Sequence, residues 1–327
     1  MEKRKFGKIG WDISEISLGC WAMGADWGDV SEENAKDILK TSFDKGVNFF
    51  DTADVYGDGR SEKFVGEFIN STSERIYVAT KAGRRINPHE ARGYYDKDLM
   101  ESYVDRSLKN LNVDTIDLLQ MHCPPTEVYS HDLTYQMLDN LVAKGKIQHY
   151  GFSVQTVEEA IACIQRPHTK SVQIIFNMLR LKPAEEFFKM AKEKNIAIIV
   201  RVPLASGLLT GKMNTDSSFP ENDHRNYNIK GDAFDVGETF SGVDFNKALK
   251  VVEELKSITP DGFSLSQLAL KWILMHEAVS VIIPGAKNSD QVLKNISASS
   301  LPDIHDLMQK IEDIYNTYLK TDIHSRW

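Results

Sequence analysis

The stretch Val47-Asn48-Phe49-Phe50-Asp51 joins a short apolar run to a charged or polar side chain, and this arrangement recurs along the chain. The run Ile76-Tyr77-Val78-Ala79-Thr80 leads into Lys81, and the run Ile116-Asp117-Leu118-Leu119-Gln120-Met121 leads into His122. Segments whose apolar residues recur at helical spacing lie between such runs. Strands that alternate with helices in this way predict a parallel sheet with helices packed around it.

The number of strand-like runs favours a closed barrel. The predicted strands cover residues 15–20, 47–51, 76–80, 116–121, 147–152, 171–176, 196–202 and 279–283. The predicted helices between and after them include residues 32–45, 97–110, 183–194 and 245–257. Eight strands alternating with helices predict an α/β fold, the (β/α)8 TIM barrel, with residues 1–327 forming a single domain.

Two segments decorate the predicted barrel. Residues 4–15, around Gly7 and Gly10, predict an N-terminal hairpin at the bottom of the barrel. Residues 211–243 are rich in Gly, Asn, Asp, Ser and Thr and show little periodicity. A loop of this length inside a compact domain usually has a function, such as closing over a ligand, although a mobile solvent loop is the alternative.

Composition excludes several classes of protein. The formal net charge of −8 at pH 7 argues against a nucleic-acid partner. No apolar stretch is long enough to span a membrane, and the N-terminus lacks the apolar core of a signal peptide. The three cysteines form no C-x-x-C pair, so we expect neither a zinc site nor a disulfide framework. A reducing, cytoplasmic location is the expectation.

Four polar residues are the candidate catalytic groups, namely Asp51, Tyr56, Lys81 and His122. Each follows or ends a predicted strand, and in barrels the carboxyl ends of all strands meet at one face. Tyr56 is the candidate proton donor to a carbonyl oxygen, with Lys81 expected to lower the pKa of its phenol. Asp51 would hold Lys81 charged and in place, and His122 would bind the substrate oxygen.

Two loops are candidate anion sites. Residues 203–212 follow the seventh predicted strand and contain Gly207, Gly211 and Lys212. Residues 283–290 follow the eighth strand and place Lys287 at the start of a helix that runs to about residue 297. Barrels commonly bind phosphate after these two strands. No G-x-G-x-x-G fingerprint follows a strand, which argues against a Rossmann dinucleotide site.

Several motifs together resemble the aldo-keto reductases. They are Asp51-Thr52-Ala53-Asp54-Val55-Tyr56-Gly57, Thr80-Lys81, Leu118-Leu119-Gln120-Met121-His122 and Ile283-Pro284-Gly285-Ala286. The subgroup looks like the bacterial general-type reductases related to potassium-channel β subunits. The resemblance implies an NADPH-dependent oxidoreductase without metal, in which the long loop lies on the cofactor side and the four candidate residues are the catalytic tetrad.

The resemblance also implies which residues contact the ligands. For NADPH they are Cys20, Trp21, Asp51, Ser153, Gln173, Arg201, Pro203, Leu204, Ser206, Gly207, Leu209, Lys212, Gly285, Ala286, Lys287, Gln291, Lys294 and Asn295. For the substrate pocket they are Trp21, Trp27, Cys123 and Tyr129. The chain departs from the family where Val154 replaces an Asn, where Lys294 replaces a Glu, and where Arg201 replaces a Tyr that stacks on the nicotinamide. A planar guanidinium can also stack, and its charge is expected to favour NADPH over the cationic oxidised form.

Three functions remain open at this point. The leading one is reversible hydride transfer from NADPH to an aldehyde, ketone or sugar carbonyl, with sugar or polyol oxidation as the reverse direction. A cofactor-responsive binding protein with slow turnover, as in channel β subunits, is the second. A metal-dependent barrel hydrolase is the third, although no two histidines form the H-x-H pair common in that class. Monomer and homo-oligomer are both compatible with the sequence.

Overall fold

The structure of the protein, a computed structural model, describes residues 1–24 and 30–327. An antiparallel hairpin of β1 (Lys3–Lys5) and β2 (Asp12–Ser14) precedes a sheet of eight parallel strands in chain order. These strands are β3 (Leu18–Gly19), β4 (Phe49–Asp51), β5 (Tyr77–Ala82), β6 (Ile116–His122), β7 (Ile147–Ser153), β8 (Ser171–Ile175), β9 (Ala197–Arg201) and β10 (Val279–Ile282). The predicted (β/α)8 barrel is therefore confirmed.

The barrel closes where the chain around β3 meets β10. The Ile282 N–H donates to the Glu15 carbonyl oxygen at 2.9 Å, and the Ser17 N–H donates to the Ile282 carbonyl oxygen at 2.8 Å. The two chains come so close that a Cβ atom on Gly19 would lie 2.6 Å from the Ile283 carbonyl oxygen. Only glycine allows this approach, so Gly19 lets the barrel close.

The hairpin plugs one end of the barrel. Phe6 and Ile13 are completely buried. They belong to one apolar cluster with the inward-facing strand residues Phe49, Ala79, Leu118, Ala197, Ile199, Val281 and Ile283. The ring centroids of Phe6 and Phe49 lie 5.4 Å apart. Because Phe49 begins β4 and Asp51 ends it, the plug fills the barrel at the end away from the candidate catalytic residues.

Helices surround the sheet and bury their apolar faces against it. They are α1 (Glu32–Asp44), α2 (Arg60–Ile69), α3 (Ala91–Tyr95), α4 (Lys97–Leu111), α5 (Asp132–Ala143), α6 (Val157–Ile164), α7 (Phe187–Glu193), α8 (His224–Tyr227), α9 (Phe245–Ser257), α10 (Leu265–Leu274), α11 (Ser289–Ser297), α12 (His305–Tyr318) and α13 (Lys320–Ile323). Helix α1 shows the pattern, since Ser31 caps its first turn and Ala35, Ile38 and Leu39 are buried.

Two predicted elements differ from the structure. The first barrel strand covers only Leu18–Gly19, and the preceding residues pair with β10 only through an isolated parallel bridge between Ile16 and Ile282. The predicted helix over residues 183–194 is divided into a 3-10 turn at Lys182–Ala184 and helix α7. Glu186, which lies between them, has a non-helical φ of −122°.

Residues 211–243 are more ordered than their composition suggests. The segment contains α8 and two 3-10 turns, Val236–Glu238 and Phe240–Gly242. Its order comes from polar side chains that bind backbone groups. The completely buried Asn228 accepts from the Ala233 and Phe234 N–H groups at 3.0 Å each and donates to the Thr239 hydroxyl at 3.1 Å. This local hydrogen bonding has no periodicity, so a pattern of apolar residues does not predict it.

No helix within the two described ranges has both the length and the apolar character needed to cross a membrane.

Candidate active site

Three of the four candidate catalytic side chains meet at the carboxyl end of the barrel strands. Asp51 ends β4 and Lys81 lies near the end of β5, and both are almost completely buried. Lys81 Nζ forms an ion pair with the Asp51 carboxylate. The same ammonium donates to the Thr52 carbonyl oxygen at 2.8 Å and lies 3.4 Å from the Tyr56 hydroxyl oxygen. The structure therefore places an ammonium held by a carboxylate next to the phenol.

Two amide side chains hold the other oxygen of the Asp51 carboxylate. Gln173 Nε2 donates to Oδ2 at 2.7 Å, and Gln120 Nε2 donates to the same oxygen at 3.0 Å. Gln173 was expected to contact NADPH, and with its amide nitrogen donating to Asp51 and Gln120 only its carbonyl oxygen is left for a ligand. Gln120 was not predicted. Its position two residues before His122 puts both on one face of β6, which is the signal that could have indicated it.

Tyr56 lies in the turn after β4, with the Trp21 ring nearly parallel to it at a centroid distance of 6.0 Å. Burial raises the pKa of Tyr56 to about 12. Lys81 lowers this pKa, as expected, but the Asp51 charge raises it. The prediction that the phenol has a lowered pKa is therefore wrong, because burial outweighs an ammonium whose charge is largely offset by its own carboxylate.

His122 ends β6, and its ring lies edge-on to Tyr56 at a centroid distance of 6.0 Å. Burial lowers the pKa of His122 well below its ordinary value, and the positive charges of Arg84 and Lys81 lower it further. The imidazole is consequently neutral at neutral pH. Its Nδ1 is buried without a hydrogen-bond partner in the described part of the chain. A neutral imidazole can donate one hydrogen bond to a substrate oxygen.

Arg201 ends β9, at the position expected to stack on the nicotinamide. Its guanidinium forms an ion pair with Glu238 and donates to the Val154 carbonyl oxygen at 2.8 Å and to Gln155 Oε1 at 3.1 Å. These contacts fix the guanidinium beside the Cys123 thiol, with Nη2 3.7 Å from Sγ. Glu238 was not predicted, because nothing in residues 211–243 indicates which side chain returns to the barrel.

The loop after β9 supplies the next group of predicted cofactor residues, Pro203, Leu204, Ser206, Gly207, Leu209 and Lys212. Its backbone turns sharply, with φ of +56° at Ser206 and +95° at Gly207. The Ser206 hydroxyl donates to the Glu238 carbonyl oxygen at 2.9 Å, which ties this loop to residues 211–243. The Leu209 side chain is completely buried in the main apolar core, so only its backbone is available to a ligand. Lys212 is exposed.

The loop and helix after β10 carry Gly285, Ala286, Lys287, Gln291, Lys294 and Asn295. Asn288 caps α11 by accepting from the Gln291 N–H at 3.0 Å. The Asn295 side-chain nitrogen donates to the Gly285 carbonyl oxygen at 3.2 Å, which fixes the loop against the helix. Lys287 is half-buried and Lys294 is exposed. Gly285, Lys287 and Gln291 therefore lie at the N-terminus of α11, a position that favours anions, whereas Lys294 lies in the last turn of the helix.

Arg225 adds a second positive charge near Lys287. Burial lowers the pKa of the Lys287 ammonium, and the Arg225 charge lowers it further. Arg225 forms a two-point ion pair with Asp223, at 2.9 Å and 2.6 Å. Arg225 belongs to residues 211–243, the loop expected to close over a ligand, but the sequence did not single it out. The two side chains provide N–H donors of the kind that bind phosphate, while the Asp223 carboxylate offsets the Arg225 charge and raises the pKa of Lys287 in turn.

The structure locates only some of the residues predicted to line the substrate pocket and the adjacent cofactor site. Trp27 lies outside the described residues. The Cys20 N–H donates to the Asp51 carbonyl oxygen at 2.8 Å, and its side chain is completely buried. Cys123 Sγ lies 3.4 Å from Ser153 Oγ. Tyr129 is completely buried and its hydroxyl donates to the Ser153 carbonyl oxygen at 3.0 Å, so its ring supports β7 from behind and does not line the pocket.

Among residues 1–24 and 30–327, no group of three or more His, Cys, Asp or Glu side chains is arranged to hold a metal ion. The described residues place the Asp51 carboxylate, the Lys81 ammonium and two amide side chains around the Tyr56 phenol.

Comparison with known proteins agrees with this architecture. The chain is 31% identical over 304 residues to the uncharacterized oxidoreductase YqkF of Bacillus subtilis, covering 92% of both chains. It is 31% identical to the aldo-keto reductase yakc [NADP(+)] of Schizosaccharomyces pombe, covering 89% of this chain and 85% of that protein. It is also 31% identical to a probable voltage-gated potassium channel subunit beta of Arabidopsis thaliana, covering 91% of each.

Solved structures show the same fold. The holo form of the aldo-keto reductase AKR11C1 from Bacillus halodurans superposes with a TM-score of 0.76 at 26% identity, covering 96% of both chains. An aldo-keto reductase from Klebsiella pneumoniae in complex with NADPH has a TM-score of 0.70 at 20% identity, over 96% of this chain and 95% of that one. The model of the aldo/keto reductase family matches residues 15–316, and the chain belongs to that family of oxidoreductases.

Proposed function

We propose that residues 1–327 form one catalytic domain that reduces aldehydes, ketones or sugar carbonyls with NADPH, with Tyr56 as the proton donor. The observation that carries this proposal is the buried ion pair of Lys81 with Asp51, whose ammonium lies 3.4 Å from the Tyr56 hydroxyl oxygen. An ammonium that is fixed in place and cannot leave the site supports proton transfer from the phenol to a substrate oxygen.

The residues of the site suit a phosphorylated dinucleotide. Lys287 and Arg225 lie near the N-terminus of α11 and would hold the phosphates of the adenosine end. Arg201 and Trp21 lie near Tyr56 and offer planar groups to the nicotinamide end. When bound, NADPH supplies a hydride for the substrate carbon. The name of the fission-yeast relative includes NADP(+), which supports the choice of cofactor.

Each residue of the tetrad has a separate task in this proposal. His122 donates a hydrogen bond to the substrate carbonyl oxygen and orients it. Tyr56 gives its proton to that oxygen as negative charge develops there. Lys81 stabilises the phenolate that results, and Asp51 keeps Lys81 in place. In the oxidative direction the same groups act in reverse, with the Tyr56 phenolate accepting the proton of an alcohol.

The test of this function is steady-state turnover of a panel of aldehydes by the purified protein, followed as loss of NADPH absorbance. We expect many turnovers per active site with at least some aldehydes. A second candidate, an NADPH-binding regulatory subunit, is favoured by the likeness to the plant channel subunit. Tight NADPH binding with less than one turnover per site for the whole panel would favour that candidate and contradict the enzyme.

Lys287→Ala is expected to raise the Kd of NADPH about tenfold or more, since a charge-assisted hydrogen bond to phosphate is worth about 1.5–3 kcal/mol. The Kd of NADH, which lacks the extra phosphate, should change less than about twofold. Titration of both cofactors by fluorescence measures this. Lys310→Ala is the control, because that lysine is exposed on α12 and is not among the residues expected to contact the cofactor. An equal effect on both cofactors would contradict the role of Lys287 in binding the extra phosphate.

Arg201→Tyr is expected to lower the ratio of the Kd of NADP+ to the Kd of NADPH, because the guanidinium repels the cationic oxidised ring. The change should stay within about fivefold, or roughly 1 kcal/mol, since the Glu238 carboxylate already offsets this charge. Removing that carboxylate with Glu238→Gln should shift the ratio in the opposite direction. If neither variant changes the ratio, Arg201 does not act on the nicotinamide charge.

A further inference from the structure

Arg84 is a cation in the candidate active site to which neither the sequence nor the comparisons give a role. It follows β5, three positions after Lys81. Its side chain is partly buried, and Nε donates to the carbonyl oxygen of His122 at 3.3 Å. The groups near enough to act on its charge include Cys123, Glu238 and Tyr94. The guanidinium therefore lies beside the histidine that would orient the substrate carbonyl.

The other cations around His122 have carboxylate partners. Lys81 is paired with Asp51, and Arg201 is paired with Glu238. For Arg84, no ion pair with a carboxylate occurs anywhere in the described ranges. Glu238 acts on Arg84 only at longer range, because its carboxylate is bonded to Arg201. Among the described residues around His122, the Arg84 charge is thus the one not offset by a paired carboxylate, in a chain whose net charge is −8.

The neighbouring Arg85 shows what a structural arginine looks like in the same loop. Its guanidinium pairs with Asp58 at 2.6 Å, and Arg106 binds the same carboxylate at 2.8 Å. Arg84 has five N–H donors; one donates to the His122 carbonyl oxygen, and the guanidinium also contacts the Cys123 side chain, which leaves donors for a ligand. Keeping an arginine partly out of water without a carboxylate is unfavourable unless a ligand supplies the negative charge.

We propose that Arg84 binds a negatively charged group of the substrate, so that the preferred substrates are carbonyl compounds that also carry a carboxylate or a phosphate. This inference rests on the proposed carbonyl reduction. His122 and Tyr56 take the carbonyl oxygen, and Arg84 takes the anionic group of the same molecule. The planar guanidinium offers two parallel N–H donors, which match the oxygens of either anion.

Matched pairs of aldehydes test the inference. The first pair is 4-carboxybenzaldehyde and 4-formylbenzamide, which have nearly the same shape and differ in charge. The second pair is glyceraldehyde 3-phosphate and glyceraldehyde, which distinguishes a phosphate from a carboxylate preference. We expect the wild-type protein to prefer the anionic member of at least one pair by about tenfold or more in kcat/KM. Arg84→Gln should remove that preference, and Arg84→Lys should retain part of it.

Arg85→Gln is the control variant. It removes an equal charge at the next residue, where the guanidinium is already paired with Asp58. It should keep the wild-type preference. Since Arg84 also contacts His122, Arg84→Gln can slow both members of a pair, and only the ratio between them reports anion binding. A wild-type protein that shows no preference in either pair, or an Arg84→Gln variant that keeps the ratio, overturns the inference.

A binding measurement separates failure of this inference from failure of the proposed function. The alcohols 4-(hydroxymethyl)benzoate and 4-(hydroxymethyl)benzamide are titrated by calorimetry into the protein with NADP+, which needs no turnover. Tighter binding of the benzoate that is lost in Arg84→Gln supports the anion site even if no aldehyde is reduced. Equal affinities of the wild-type protein for these two alcohols, and also for glycerol 3-phosphate and glycerol, contradict the inference, whether or not aldehydes are reduced.

Discussion

Tyr56→Phe is expected to lower kcat for aldehyde reduction by about a thousandfold or more while leaving the Kd of NADPH within about twofold of the wild-type value. The variant keeps the aromatic ring beside Trp21 and loses only the hydroxyl that lies 3.4 Å from Lys81 Nζ. Without a donor, the negative charge that develops on the carbonyl oxygen has no proton to accept. Single-turnover reduction and fluorescence titration of the cofactor measure the two quantities separately.

The pH profile provides a control for this prediction. With the pKa of Tyr56 at about 12, the phenol is protonated throughout the neutral range, so donation should be lost only as pH rises towards that value. The pKa of His122 lies well below its ordinary value, so its titration should not appear near neutral pH either. A Tyr56→Phe variant that retains more than about a tenth of the wild-type activity would rule out Tyr56 as the donor.

Lys81→Met should abolish turnover and also destabilise the protein, by about 3–5 kcal/mol in the free energy of unfolding. The substitution leaves the Asp51 carboxylate buried beside an apolar side chain, and breaking one partner of a buried ion pair is costly. Gln120 and Gln173 still donate to that carboxylate, which should keep the loss towards the lower end. Urea unfolding measures the stability, and aldehyde turnover measures the activity.

The double variant Asp51→Asn with Lys81→Met distinguishes the two roles of the pair. It removes both charges together, so most of the lost stability should return while turnover stays absent. If the single variant is as stable as the wild type, the ion pair does not contribute to folding as the structure indicates. If the double variant regains turnover, Lys81 is not needed for proton transfer.

The sequence predicts the position of the site better than its electrostatics. Asp51, Lys81 and His122 could be placed together because strand ends of a parallel barrel share one face, and the alternation of strands and helices indicates such a barrel. The pKa of Tyr56 could not be predicted in the same way. Its direction depends on burial and on how far Asp51 offsets the charge of Lys81, and both are properties of the packed structure.

The side-chain contacts made by irregular segments could not be predicted from the sequence either. Glu238, Arg225 and Asp223 all belong to residues 211–243, which have no apolar period to show which side chains return to the barrel. Gln120 is different, because strand periodicity places it on the face of His122, and a search of both inward positions of β6 would have found it. Every inward position of a strand that ends in a candidate residue is therefore a candidate as well.

The closure of the barrel at Gly19 sets a limit on redesign of this pocket. Because a Cβ atom there would meet the Ile283 carbonyl oxygen at 2.6 Å, libraries that vary this wall should leave position 19 as glycine. Trp21, two residues later, is partly exposed beside Tyr56 and is the better place to enlarge or reshape the cavity for bulkier substrates.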